Sequence, residues 1–231
     1  MRQNNKAMWS QANVVGIVDS QRAIARAKKL RGGDVDLLEW RADCLPDLVP
    51  PIIREVPWIL TVRHPREGGQ GGLSSIGRRK VFLDLLEHAG AVDIECRSLG
   101  ALRCVVDAAR AGGVGVIASC HDFQNTPSSN RLEAAIQIAI DGGADVVKIA
   151  TRTESAREVG RLLALFDRPP LPLAVMGMGR LGMASRLLFA SCGSVLNYGW
   201  IDQPNVAGQW SAVDLRLMLA KTSELGASAS E

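Results

Sequence analysis

The amino-acid sequence predicts an α/β protein that folds as a single (β/α)8 TIM barrel over residues 1–231. Short apolar segments alternate along the chain with longer segments of helical periodicity, which is typical of βα units. Eight of the apolar segments have strand length, and a chain of this size is close to the roughly 250 residues of one barrel. A doubly wound open sheet has the same alternation, but eight strands favour the closed barrel.

The predicted strands are short and apolar, and turn residues separate them from the helices. In chain order they are Val14–Val18, Val35–Trp40, Trp58–Val62, Ala91–Ile94, Val114–Cys120, Asp145–Ala150, Leu173–Met178 and Val195–Tyr198. The predicted helices are Gln21–Leu30, Lys80–His88, Leu99–Ala111, Asn130–Asp141, Glu154–Phe166, Ala184–Phe189 and Ala212–Thr222, with a weaker candidate at Leu45–Arg54. We expect short polar tails at about 1–12 and 224–231.

Composition and charge argue against several classes of protein. The net charge is +3 with Lys and Arg scattered along the chain, and aromatic residues make up 4%, so nothing favours a nucleic-acid partner. Five widely spaced cysteines without a C-x-x-C pair predict neither a disulfide framework nor a zinc site. We find no signal peptide and no apolar run of the roughly 18 residues that span a membrane. We therefore expect a cytoplasmic protein that binds a small anionic molecule.

Lys148 interrupts the apolar segment 145–150, which otherwise has the composition of a strand buried on both faces. An unpaired lysine is costly in such a place. Burial favours the neutral amine, which can attack a ketone. An ion pair with a carboxylate, or a side chain that extends out to solvent, explains this residue equally well when it is considered alone.

Other polar residues close the predicted strands, at the end of a barrel where active sites lie. Glu39 and Arg41 close strand two, Arg63 closes strand three and His121 closes strand five. Because residues two apart share one face of a strand, these side chains can converge on the barrel mouth. His121 suits acid–base work near neutral pH, although a histidine at a strand end is often only a polar core residue. The three histidines lack H-x-H and H-x-x-x-H spacing, so no metal site is predicted.

The segment Gly177-Met-Gly179-Arg-Leu-Gly182 matches the G-x-G-x-x-G pattern of dinucleotide-binding folds. It begins at the seventh predicted strand, and the roughly 50 residues that follow cannot supply the βαβαβ unit that such a fold requires. We therefore expect a glycine-rich turn at the barrel mouth and no nucleotide cofactor. Two other loops, 67–72 and 203–209, have the composition of ligand-closing segments or of ordinary surface turns.

Seven short motifs occur in a specific order along the chain. They are Glu39-Trp-Arg41-Ala-Asp43, Thr61-Val-Arg63 with Glu67-Gly-Gly, Ser119-Cys-His121-Asp-Phe123, Val147-Lys148-Ile, Met176-x-Met178, Ser185-Arg186 and Ala207-Gly208-Gln209. Together they resemble type I 3-dehydroquinate dehydratase over about Asp34–Leu219. The resemblance implies a hydro-lyase that converts 3-dehydroquinate to 3-dehydroshikimate and water in the shikimate pathway of aromatic amino acid biosynthesis. It also implies a homodimer that needs no cofactor and no metal.

The resemblance assigns roles to individual residues. Lys148 would form a Schiff base with the ketone, His121 would act as general acid and base, and Glu67 would orient the histidine. The residues implied in substrate binding are Glu39, Arg41 and Arg63 for hydroxyl groups, Arg186 for the carboxylate, Asn205 and Gln209 in the closing loop, and Met176, Met178, Phe123 and Tyr198 in an apolar wall. His121 would remove the proton next to the iminium and then protonate the departing hydroxyl.

Two positions depart from the pattern of that family. The closing loop reads Asn205-Val-Ala-Gly-Gln where the family commonly has Ser-Ala-Pro-Gly-Gln, and the missing proline predicts a less preorganised loop. Tyr198 stands where the family often has phenylalanine. Its additional hydroxyl needs a partner.

Two other functions compete with this prediction. A class I aldolase also places a Schiff-base lysine in a barrel and could bind a substrate phosphate at residues 177–182. We find no second anion site beside Arg186, and a single arginine fits a substrate carboxylate better than a phosphate. A catalytically inactive barrel that serves as a binding module is the second alternative, since the fold does not determine function. The intact set of Lys, His, Glu and Arg residues argues against it.

Overall fold

The computed structural model describes residues 8–228, without the side chains of 223–228. Its strands are β1 (Asn13–Val18), β2 (Leu37–Arg41), β3 (Trp58–Thr61), β4 (Ala91–Glu95), β5 (Gly115–Asp122), β6 (Val146–Arg152), β7 (Leu173–Met178) and β8 (Leu196–Trp200). The hydrogen-bonded order is β7-β6-β5-β4-β3-β2-β1-β8, and all paired strands are parallel. The Val195 N–H donates to the Leu173 carbonyl at 2.8 Å and joins β7 to the start of β8. The strands therefore form a nearly closed barrel, and the predicted fold class is confirmed.

A helix follows every strand except β2, among the residues that the structure describes. The α-helices are α1 (Gln21–Ala27), α2 (Ser75–Leu85), α3 (Arg103–Ala111), α4 (Ser129–Asp141), α5 (Ala156–Leu163), α6 (Gly182–Ser191) and α7 (Ala212–Ser228). Helix α7 extends beyond its predicted end at Thr222 into the predicted C-terminal tail. The other parts of the predicted tails, residues 1–7 and 229–231, lie outside the described residues.

The helix predicted at Leu45–Arg54 is wrong. Residues 42–57, all of which the structure describes, contain no helix. The predicted helix 45–54 contains three prolines, which lack the N–H that a helix interior needs. Asp47 and Arg54 have φ values of 61° and 47°, in the left-handed region that a right-handed helix excludes. The chain therefore passes from β2 to β3 through an irregular loop.

Alternate strand residues pack into two separate apolar clusters, because side chains alternate between the two faces of a strand. Val14 and Val147 belong to the cluster between the strands and the helices, whereas Val15 and Val146 belong to the cluster inside the barrel. Lys148 is two residues from Val146 and shares its inward face. Inward residues near the carboxyl ends of the strands are thus placed to line the barrel mouth.

Candidate active site

Four alternate strands each contribute one side chain to a layer at the barrel centre, which we call the central layer. It consists of Glu39 from β2, Asp93 from β4, Lys148 from β6 and Tyr198 from β8, and all four are buried. Lys148 Nζ lies 2.8 Å from Asp93 Oδ2, 3.6 Å from Glu39 Oε1 and 3.7 Å from the centroid of the Tyr198 ring. Layers of four side chains from alternate strands are a property of the closed barrel. The fold therefore places the lysine amine between two carboxylates and an aromatic ring.

Lys148 is paired and still accessible to a ligand. The residue is 3% exposed, and the cost of burying its charge is offset by Asp93 and Glu39. The sequence left two non-catalytic explanations for Lys148 open. The ion pair with a carboxylate is confirmed, and the extension of the side chain to solvent is wrong because the amine stays inside the barrel. The same side chain borders a cavity at the barrel mouth. A ligand in that cavity can reach the amine.

Asp93 connects the lysine to a buried arginine. Arg63 Nη1 and Nη2 donate to the two oxygens of Asp93 at 2.9 and 3.0 Å, and Arg63 also donates to Glu95 at 3.2 Å and to Ser119 at 2.7 Å. Burial raises the pKa of Asp93, but the Arg63 and Lys148 cations outweigh burial and hold that pKa well below its usual range. The carboxylate therefore remains ionised and fixes both cations.

Sequence reasoning missed Asp93 and Glu95. Both carboxylates lie in the segment Ala91-Val-Asp-Ile-Glu95, which was assigned as a strand through Ile94. The sequence did contain a signal for them, because a charged residue within a buried strand needs an oppositely charged or hydrogen-bonding partner, as Lys148 does. Glu95 accepts from the His64 N–H at 2.8 Å and pairs with the buried guanidinium of Arg78. The acidic residues of β4 thus compensate the buried cations of neighbouring elements.

His121 and Glu67 form a hydrogen-bonded pair at the mouth. Glu67 ends a short 3₁₀ turn (Pro65–Glu67), and Gly68 follows with φ 84°, which reverses the chain. Glu67 Oε2 lies 2.9 Å from both the backbone nitrogen and Nδ1 of His121, and Glu67 Oε1 accepts from Arg97 Nε at 2.8 Å. An ionised carboxylate can only accept, so the proton is on Nδ1 of the neutral ring and Nε2 is left as a base.

The electrostatic surroundings of His121 keep its imidazole neutral. Burial, followed by the Arg63 and Lys148 cations, lowers the pKa of His121 well below 6.5. Burial also raises the pKa of Glu67 above 4.5, although the hydrogen bond from the His121 N–H opposes this rise. At neutral pH the ring is therefore a base that is ready to accept a proton.

Arg186 is a buried cation without an acidic partner. It lies on α6, is 3% exposed, and donates to the carbonyls of Gly177 at 3.1 Å and Tyr198 at 2.8 Å. No carboxylate of the described residues lies within 4.0 Å of its guanidinium. Burial lowers the pKa of Arg186 to about 10. A cation that is desolvated and uncompensated at a cavity wall is suited to bind an anion.

The rim of the mouth combines an ion pair with aromatic and thioether groups. Arg41 donates to both oxygens of Asp43, at 2.9 and 2.7 Å, and to the Gly68 carbonyl at 3.3 Å. Phe123 stacks on the His121 ring with centroids 6.4 Å apart, and its side chain is partly exposed. The methionines of β7 add apolar surface to the same cavity. The rim can therefore contact both the polar and the apolar parts of a small ring.

Residues 203–209, the closing loop, are attached to the barrel at two points. Asn205 Nδ2 donates to Asp19, and the Asn205 N–H donates to Gln209 Oε1 at 2.9 Å. The Gly179 N–H donates to the Ala207 carbonyl at 2.8 Å. A Cβ atom on Gly182 would lie 2.5 Å from the Gly208 carbonyl oxygen. The G-x-G-x-x-G segment therefore allows close packing of the closing loop, in agreement with a glycine-rich turn.

The structure brings all the predicted site residues to one cavity of about 200 Å³. They are Glu39, Arg41, Arg63, Glu67, His121, Phe123, Lys148, Met176, Met178, Arg186, Tyr198, Asn205 and Gln209. The cavity is also lined by four residues that sequence reasoning did not identify, which are Ile17, Asp19, Cys44 and Ala150. Among the four, Asp19 directly follows β1 and could have been found by the rule that located the other strand-end residues. Three further lining residues, Gly68, Gln70 and Val206, lie in the two candidate ligand-closing loops.

Two features are absent from residues 8–228. No helix there has both the length and the apolar composition needed to cross a bilayer. No group of three or more His, Cys, Asp or Glu side chains in that range is arranged to hold a metal ion.

Comparison with known proteins agrees with the motifs. The family model described as Type I 3-dehydroquinase matches residues 14–225. The chain is 31% identical over 222 residues to the 3-dehydroquinate dehydratase of Enterococcus faecalis, covering 87% of each chain. It is 34% identical over 190 residues to the bifunctional 3-dehydroquinate dehydratase/shikimate dehydrogenase of Arabidopsis thaliana. The matched region covers 78% of this chain and 32% of the length of that protein.

Among solved structures, the 3-dehydroquinate dehydratase of Geobacillus kaustophilus superposes with a TM-score of 0.79 at 26% identity, over 93% of this chain and 92% of that one. The likeness therefore extends over nearly the whole chain, and the family match at residues 14–225 spans the positions of all the motifs. The resemblance read from the motifs is confirmed: the chain belongs to the type I 3-dehydroquinase family.

Proposed function

We propose that the cavity dehydrates 3-dehydroquinate through a Schiff base on Lys148, with His121 as the general acid and base and Glu67 as its orienting carboxylate. The family makes the chain a 3-dehydroquinate dehydratase, a hydro-lyase of the shikimate pathway. The observation that carries the residue assignment is the placement of a buried amine, a neutral imidazole and an uncompensated guanidinium around one small cavity.

In the first stage Lys148 acts as the nucleophile. Lys148 starts as the ammonium that Asp93 and Glu39 hold, and it releases one proton as its nitrogen attacks the ring ketone. The carbonyl oxygen takes up this proton, and the carbinolamine then loses water, whose second proton also comes from the nitrogen, to form an iminium. The positive iminium nitrogen withdraws electrons from the neighbouring carbon and makes its C–H bond more acidic. Asp93 and Glu39 stabilise this cation because they already surround Nζ, at 2.8 and 3.6 Å.

In the second stage His121 moves one proton. Its Nε2 removes the proton from the acidified carbon, which leaves an enamine and an imidazolium that Glu67 stabilises through Nδ1. The enamine expels the β-hydroxyl, and the imidazolium supplies the proton with which that group leaves as water. Water then hydrolyses the iminium, releasing 3-dehydroshikimate and the free Lys148 amine. Both catalytic groups return to their starting protonation states.

The remaining lining residues hold the substrate in place. Arg186 pairs with the substrate carboxylate, which supplies the anion that its buried guanidinium lacks. Glu39, Arg41 and Arg63 contact ring hydroxyl groups, while Asn205 and Gln209 close over the ring. The apolar wall consists of Met176, Met178, Phe123 and the Tyr198 ring.

We also infer that the barrel is a single catalytic domain that works as a cytoplasmic homodimer. All five cysteines are free, which agrees with a reducing compartment. The family resemblance supports the dimer. Light scattering on the purified protein at micromolar concentration tests this state, and a mass of one chain would contradict it.

A continuous dehydration assay tests the proposed function. The enone of 3-dehydroshikimate absorbs in the ultraviolet, so turnover of 3-dehydroquinate is seen as rising absorbance. We expect turnover by the wild-type protein and by the control Lys29→Ala, which changes an exposed lysine, and none by Lys148→Ala. No turnover by the wild type at high enzyme concentration contradicts the activity. Turnover by Lys148→Ala contradicts the role of this lysine.

A further inference from the structure

The hydroxyl of Tyr198 is buried at the active site without a hydrogen-bond partner among the described residues. Tyr198 is 2% exposed and its side chain borders the cavity. Leaving a buried hydroxyl unsatisfied destabilises the folded protein. The hydroxyl lies at the centre of the site and has almost no exposed surface without a ligand, so a ligand can satisfy it once the surrounding side chains adjust on binding.

The position of the ring limits which ligand atom this can be. The Lys148 amine lies over the Tyr198 ring, 3.7 Å from its centroid, so the hydroxyl at the ring edge is in the immediate surroundings of the amine. Glu39 and Asp93, the carboxylates of the same layer, already accept from Thr61, Arg63, Ser119 and Lys148. A ligand oxygen that accepts a hydrogen bond from the phenol must therefore lie close to the ligand carbon that bonds to Lys148 Nζ.

We propose that the Tyr198 hydroxyl donates a hydrogen bond to the oxygen on the carbon that Lys148 attacks, first the ketone oxygen and then the carbinolamine hydroxyl. This inference rests on the proposed Schiff-base function and adds a catalytic residue to it. As the C–N bond forms, the π electrons of the carbonyl move onto its oxygen, and a donor at that oxygen stabilises the developing charge. When the C–O bond breaks, the oxygen leaves as water with two protons that the Lys148 nitrogen has given up, and the nitrogen lone pair forms the C=N bond. Tyr198 keeps its own proton throughout.

The protonation state of Tyr198 fits a donor. Burial, together with the Glu39 and Asp93 carboxylates, raises the pKa of Tyr198 well above 10. The phenol therefore remains protonated over the range in which His121 is a neutral base.

The test is Tyr198→Phe, which removes the hydroxyl and keeps the ring under the amine. Wild-type and variant enzymes are mixed with 3-dehydroquinate, quenched with borohydride at millisecond intervals, and analysed by mass spectrometry for the reduced adduct. We expect adduct formation to slow by about tenfold, the loss typical of one useful hydrogen bond. The deuterium isotope effect on kcat, measured with substrate deuterated at the carbon that loses its proton, should fall because imine formation becomes rate-limiting.

The rate of adduct formation and the isotope effect separate this role from a purely structural one, whereas the Tm does not. Removal of an unsatisfied buried hydroxyl should raise the Tm of the ligand-free variant in either case. Adduct formation at the wild-type rate with an unchanged isotope effect would overturn the Tyr198 proposal and leave the Schiff-base mechanism standing. Absence of any adduct in the wild type would overturn both proposals.

Discussion

The amine of Lys148 donates to Asp93 Oδ2 at 2.8 Å, while the other oxygen of Asp93 accepts from Arg63 and Ser119. One carboxylate therefore holds the proposed nucleophile and a second buried cation at fixed positions. The arrangement is a direct consequence of the barrel, since β3, β4, β5 and β6 are consecutive neighbours in the sheet. It explains how a lysine is tolerated in an apolar strand and also how its amine is aimed at the cavity.

Replacement of Asp93 by asparagine should destabilise the protein and impair catalysis together. The change leaves Lys148 and Arg63 with an uncompensated buried charge, so we expect the free energy of unfolding to fall by about 3–5 kcal/mol. Urea denaturation measures this loss. Asp107→Asn is the control, because its exposed pair with Arg103 is screened by solvent and should leave stability unchanged. Equal midpoints for the two variants would show that Asp93 does not compensate the buried cations.

The pH dependence of kcat/KM should report His121. Burial and two neighbouring cations lower its pKa below 6.5, and only the neutral ring can accept a proton. Activity is therefore present at neutral pH and should be lost as the pH falls through a midpoint below 6.5. NMR titration of the imidazole C2 proton in His121 gives the same pKa independently. A midpoint at or above 6.5 in both measurements would disagree with a buried neutral histidine.

Arg186→Lys should raise KM more than it lowers kcat. Lysine keeps the positive charge but loses the planar fork that pairs with both oxygens of a carboxylate. We expect KM to rise by about tenfold to a hundredfold, which corresponds to the loss of a charge-assisted hydrogen bond. Steady-state kinetics measures the change, with Arg180→Lys as an exposed control on the same connection between β7 and α6. An unchanged KM would place the substrate carboxylate elsewhere.

Ala207→Pro should make the closing loop more rigid. The carbonyl of residue 207 would still accept from the Gly179 N–H, and no described hydrogen bond uses the Ala207 N–H. A compatible proline stabilises a protein by about 0.4–1 kcal/mol through the unfolded state. We expect a higher Tm and a lower KM, since a preorganised loop costs less to close. A lower Tm would mean that the backbone at this position cannot accommodate proline.

Strand parity and the carboxyl-end rule are local, and they were sufficient to predict the barrel and the lining residues at the strand ends. Lys148, His121 and Glu39 were found in this way. Other residues were assigned to the site by the family resemblance alone, and these are Glu67, Tyr198, Arg186, Asn205 and Gln209. The compensating partners were harder to find, since Asp93 and Arg97 become neighbours of Lys148 and Glu67 only when the sheet closes. Pairing across strands depends on register, which a strand sequence alone does not specify.

Backbone conformation accounts for most of the remaining differences. The irregular segment between β2 and β3 was mistaken for a helix because its apolar spacing is helical, whereas its prolines and left-handed residues exclude one. The glycines at 179 and 182 match a nucleotide-binding pattern, but here Gly182 is required by close contact with the closing loop and Gly179 by its φ of 78°. Both cases show that local pattern is overruled by tertiary packing and steric limits.

The most direct test of the central claim is reductive trapping followed by peptide mapping. The protein is incubated with 3-dehydroquinate, reduced with borohydride, digested and sequenced by mass spectrometry. The account predicts that the ligand mass is found on Lys148, with exposed Lys28 and Lys29 unmodified as internal controls. A label on another lysine, or an active enzyme that gives no label at all, would contradict it.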